Sequence, residues 1–132
     1  MSNYDTVKEL HETVFRLFTY RFDKHNYLVE EHWTSHADAV ERGEGFVDDC
    51  DGYACTTAEL LLRRGVSAED VKLIYCITET GEAHLVCGVD TVETTWIAEN
   101  RYNYVYDWNK RSGYRWMYFM RLDDKGVWRK VS

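Results

Sequence analysis

Near residue 70 the rhythm of apolar residues changes, and that change limits the folds open to this chain. Before it, apolar residues recur at helical spacing; after it, they alternate as on the two faces of a strand. Val7, Leu10, Val14, Leu17 and Phe18 predict a helix over residues 6–22, with Thr6 and Glu9 as its capping box. Residues 23–32 read as polar and irregular, and residues 35–42 as a short helix stopped by Gly43. A second main helix is predicted from Asp49 or Cys50 to residue 64, with Gly65 as its stop. Its apolar stripe is Tyr53, Ala54, Ala58, Leu61 and Leu62. Strands follow at residues 71–77 and 82–89, joined by the turn Thr78-Glu79-Thr80-Gly81. In the second, Ala83, Leu85, Cys87 and Val89 share one face, and His84, Val86 and Gly88 the other. Further strands are predicted at 95–99, 114–122 and 127–131. Helices first and antiparallel strands after make an α+β fold.

The 132 residues suit one domain, residues 1–132, and a hydrophobic fraction of 45% can fill its core. A net charge of −7 argues against general nucleic-acid binding, which needs a basic footprint. The basic group Arg111, Arg115, Arg121, Arg129 and Lys130 reads as a solvated strand face. No apolar run approaches the ~20 residues that span a bilayer, so no membrane partner is expected. The first residues carry no basic region ahead of an apolar run, which leads to an expected cytoplasmic location. The cysteines Cys50, Cys55, Cys76 and Cys87 lack the paired spacing of a zinc site, and the last three read as buried reduced thiols.

The stretch Gly45-Phe46-Val47-Asp48-Asp49-Cys50-Asp51-Gly52-Tyr53-Ala54 puts a cysteine at the first turn of a helix. Free backbone N–H groups and the helix dipole favour an anion there, which predicts a lowered thiol pKa and donors for an oxyanion. Asp48 or Asp49 is the helix cap. His84, polar within an apolar strand, is the candidate base. Glu99, at the end of the next strand, is the candidate carboxylate that orients the ring, with Asn100 as the alternative. Trp33 reads equally as core packing or as part of the cleft or oxyanion site.

The order of these fragments resembles the bacterial transglutaminase-like cysteine proteinases. It comprises Tyr20-Arg21-Phe22, His32-Trp33, Gly43-Glu44-Gly45, Asp49-Cys50-Asp51-Gly52-Tyr53-Ala54, Gly81-Glu82-Ala83-His84 and Glu99-Asn100. The resemblance implies a papain-like, transglutaminase-like core and a Cys-His-Asp triad that cleaves peptide bonds. Cys50 then falls on the nucleophile and His84 on the base. Glu99 stands where the family usually has Asp, so its longer side chain must approach the ring differently. The family commonly shows Gly-Asp-Cys-Glu-Asp-Tyr-Ala; here Asp48 replaces the first Gly, Asp51 the Glu, and Gly52 the second Asp. In calcium-dependent members acidic residues beside the cysteine bind the ion, a role that would fall on Asp49 and Asp51. The hydrolytic chemistry itself requires no cofactor. Adhesin-processing relatives are exported, so their substrate is not carried over, and the length fits a compact cytoplasmic or phage-encoded member.

Three functions are compatible with these residues. One is a thiol hydrolase acting on a protein or peptide through Cys50, His84 and Glu99. Another is acyl transfer by the same groups to an amine. The third is a peptide- or protein-binding module without turnover, motivated by the Glu99 change, the acidic crowding at Cys50 and the aromatic tail around Tyr102, Tyr104, Tyr106, Trp108, Tyr114 and Trp116.

Overall fold

Ser2, not Thr6, starts the first helix. In the computed structural model, which describes residues 2–21, 35–111 and 113–131, the Ser2 hydroxyl accepts from the Asp5 amide at 3.1 Å. Helix α1 then runs over Asn3–Leu17, and Thr6 lies inside it, donating its hydroxyl to the Ser2 carbonyl. The helix ends five residues before the expected position, because Phe18–Tyr20 turns extended and becomes β1. Its ladder partner is β2, Phe46–Asp48, in parallel register with Phe18 opposite Phe46. The aromatic Phe18 ring packs on Phe46 and Tyr53, which rewards the extended conformation over another helical turn.

Helix α2 is Ala37–Glu41 and α3 is Cys50–Arg63. Asp49 is the cap of α3, accepting from the amides of Asp51 and Gly52. Gly65, at φ +90°, supplies the left-handed residue that ends the helix. The segment expected to be irregular at residues 23–32 lies outside the described residues.

The strands are β3 Val71–Ile77, β4 Ala83–Asp90, β5 Thr95–Ala98, β6 Tyr106–Asp107, β7 Arg115–Arg121 and β8 Arg129–Lys130. They form one antiparallel sheet in the order β6-β5-β4-β3-β7-β8. The two faces of β4 separate as the alternation predicts, and both are covered. Leu85, Cys87 and Val89 join the core shared with α1 and α3. Val86 joins a second core with Ile74, Ile97, Tyr106 and Tyr114, roofed by Tyr102, Trp108 and Trp116. The aromatic tail therefore closes the outer face of the sheet. Gly88 is needed there, because a Cβ would stand 2.8 Å from the Ile74 side chain.

The basic group divides. Arg115, Arg129 and Lys130 are exposed as expected, whereas the Arg111 guanidinium lies half-buried 3.9 Å over the Tyr102 ring. Arg121 pairs with Asp90 at 2.5 Å. All four cysteines are free; Cys50, Cys76 and Cys87 are buried, and Cys55 half-buried. Among the described residues no helix is long and apolar enough to cross a membrane.

His11 ties α1 to α3 and to the chain beyond β5. It is wholly buried. Its Nε2 donates to the Tyr102 carbonyl at 2.7 Å, so Nδ1 is the unprotonated nitrogen and accepts from the Tyr53 hydroxyl at 2.7 Å. Burial lowers its pKa below the ordinary value. A depressed folded-state pKa means the unfolded chain binds the proton more readily. Its stabilising contribution is therefore complete above about pH 6.5 and declines below that value toward the folded-state pKa. We expect the urea midpoint to fall between about pH 7.5 and pH 5.5, and to fall less in His11→Gln. Equal slopes in the two proteins would remove His11 as the cause.

Candidate active site

The parallel β1–β2 pair delivers the chain to Asp49, and Asp49 turns it into α3. Cys50 is thereby the first residue of a fourteen-residue helix, and 3% exposed. Its thiol donates to Asp51 Oδ1 at 3.5 Å, and the Leu85 amide hydrogen-bonds the sulfur from β4. Cys50 and His84 line one cleft of about 280 Å³, together with Tyr20, Thr80, Glu82 and Asn100.

The register of β4 and β5 carries the second pair. Cys87 faces Ala98, so one step on Glu99 falls beside Val86, on the same side of the sheet as His84. His84 Nε2 lies 2.9 Å from Glu99 Oε1. Because a carboxylate only accepts, Nε2 carries the proton and Nδ1 is the ring's basic nitrogen. The Glu99 side chain is buried among tyrosines. Oε1 also accepts from Tyr114 at 2.9 Å, and Oε2 accepts from the Tyr106 hydroxyl. Neither tyrosine is singled out individually by spacing or motif. The only signal is the density of Tyr in the tail, which says nothing of where their hydroxyls converge.

The thiol departs from expectation. Burial, then the Asp51 charge, push the Cys50 pKa up to about 12, with the Leu85 amide acting in the opposite direction. Magnitudes explain the reversal. A helix terminus is worth about 0.3–1 kcal/mol, or up to ~2, whereas full burial shifts a pKa by up to about 3–5 units. The resting group is a neutral thiol.

Asn100 lines the cleft, and its Oδ1 is buried with no hydrogen-bond partner among the described residues. Trp33 lies outside the described residues. Asp49 is occupied as a helix cap and Asp51 as acceptor of the thiol. The acid missing at Gly52 is replaced in space: a Cβ there would stand 2.0 Å from Asp48 Oδ2. That Asp48 oxygen is engaged with His36 Nε2 at 2.7 Å. Among the described residues no three His, Cys, Asp or Glu side chains gather as a metal would need. Two carboxylates beside the thiol are fewer donors than the six to eight oxygens a calcium ion takes.

The sequence matches, over residues 1–132, the family model described as bacterial transglutaminase-like cysteine proteinase BTLCP. Among solved structures, calcium-bound LapG of Legionella pneumophila aligns with TM-score 0.71 at 18% identity, covering 98% of this chain and 74% of that one. EGTA-treated LapG of the same organism aligns with TM-score 0.69 at 20% identity, covering 98% and 73%. Identity at that level carries the fold alone. No curated protein matches the sequence.

Asp51→Asn removes a like charge beside the thiol and leaves a neutral amide oxygen as a weaker acceptor of the S–H. We expect iodoacetamide to alkylate Cys50 about tenfold faster at neutral pH in that variant, as a fall of about one pKa unit dictates. An unchanged rate would leave burial and the Asp49 charge as the causes of the high pKa.

Proposed function

Because the chain belongs to the bacterial transglutaminase-like cysteine proteinases and shares the fold of LapG, we propose that it hydrolyses peptide bonds through Cys50, His84 and Glu99. Family membership makes it a cysteine peptidase with a protein or peptide substrate. The observation that carries the residue assignment is the 2.9 Å bond from His84 Nε2 to Glu99 Oε1, with Cys50 and His84 lining one cleft.

In this reading the resting nucleophile is a thiol. As Cys50 Sγ attacks the carbonyl carbon, His84 Nδ1 takes the thiol proton, and Glu99 stabilises the imidazolium through Nε2–H. The cap already uses the amides of Asp51 and Gly52, so the amide of Cys50 is the donor assigned to the tetrahedral oxyanion. His84 then protonates the leaving amine. Water, deprotonated by His84, cleaves the thioester and restores the thiol. Asn100 Oδ1 is an acceptor, which suits a substrate N–H and not an oxyanion.

LapG is known in a calcium-bound form. In this chain Asp49 and Asp51 are the carboxylates assigned to a calcium ion, and two such donors make a weak site. Titration calorimetry is expected to give a Kd no tighter than about 10⁻⁴ M, and chelation by EGTA to leave peptide cleavage unchanged. Binding tighter by orders of magnitude would restore a complete calcium site.

Cys50→Ala is expected to abolish cleavage of a peptide library while keeping the wild-type thermal midpoint. Glu99→Gln is expected to lower kcat by about a hundredfold or more. Cleavage retained by a folded Cys50→Ala protein would end the assignment of the nucleophile.

A further inference from the structure

We propose that Tyr106 and Tyr114 are positioning residues, whose hydroxyls hold the Glu99 carboxylate in line with His84. The proposal rests on the Cys50–His84–Glu99 reading and extends it to groups that do not touch substrate.

The Glu99 side chain is fully buried, and an ion in such a place needs donors on both oxygens. His84 supplies one, at Oε1. Tyr114 supplies a second to the same oxygen at 2.9 Å, and Tyr106 is the donor to Oε2. A glutamate has one more rotatable bond than an aspartate, so its carboxylate must be pinned to serve a ring at fixed distance. Two hydroxyls from different elements do this.

Each tyrosine is itself held. Tyr106 sits on β6 opposite Ile97, and the Arg111 guanidinium lies 4.5 Å from its ring. The Tyr114 hydroxyl accepts from Arg101 Nη1 at 2.7 Å, which aims its proton at Glu99. Arg101 is in turn gripped by Glu79 through both of its terminal nitrogens. Burial and the Glu99 charge push both phenols well above their ordinary pKa, so both remain donors.

The test is steady-state cleavage of a peptide substrate by Tyr106→Phe, Tyr114→Phe and the double variant, each checked for folding by thermal melt. Each single change is expected to lower kcat about tenfold while KM stays within about twofold, since only alignment of the base is lost. In a Glu99→Asp background the shorter carboxylate no longer meets these hydroxyls. The same tyrosine changes should then alter kcat by less than about twofold. A folded double variant with wild-type kcat would overturn the proposal, as would an equal fall in both backgrounds or a loss confined to KM.

The two readings fail separately. Full kcat in Glu99→Gln removes the triad itself. An inactive Glu99→Gln protein beside fully active phenylalanine variants removes only the tyrosines' role. Should a phenylalanine variant melt below the assay temperature, the wild type decides by proton NMR. Slowly exchanging, strongly downfield hydroxyl protons on Tyr106 and Tyr114 are expected; ordinary fast-exchanging hydroxyls would overturn the proposal.

Discussion

A carboxylate with no access to water organises one end of this sheet. Glu99 cannot be buried as an ion unless several donors reach it at once, and those donors come from three separate stretches of chain. His84 comes from β4, Tyr106 from β6, and Tyr114 from the residue before β7. The requirement links strands that are not all neighbours in the ladder. It also explains why the outer face of the sheet is roofed by aromatic residues: the roof excludes water from a charge whose partners are all internal.

The electrostatics of Cys50 run the other way. Cys50 gains an amide from Leu85 but loses more to burial and to the adjacent carboxylate. In the proposed triad the reactivity would lie in the His84 base and not in a preformed thiolate. The proton has to move during attack, which makes the alignment of the imidazole the more demanding part of the arrangement.

Much of this was legible in the residues. Cys50 at a helix start followed from the Asp49 cap and the apolar stripe beyond it. The β3–β4 hairpin followed from strict alternation, and Glu99 followed from its place one strand away from His84. Other parts were not legible, for physical reasons. The β1–β2 pair is only three residues long on each side, too short for a period to register, so α1 read as continuing through Phe18. Ser2 and Thr6 both offer hydroxyls near a helix start, and only the backbone path chooses between them. The thiol's pKa depends on how completely α3 packs against the sheet, and local sequence does not report packing. Tyr106 and Tyr114 converge only once β5 and β6 are in register.

The interlocking of Asp48 and Gly52 has a consequence for how such a site changes over generations. Each residue occupies or vacates the same few cubic ångströms, since the Asp48 carboxyl stands where a side chain at position 52 would begin. An acid gained first at 52 would put its Cβ where the Asp48 carboxyl lies, so the Asp48 side chain would have to move. Losing the acid first at 48 would strip both His36 and the Asp49 amide of their partner. An acid at 52 is therefore accommodated only once the Asp48 side chain has moved away or been lost.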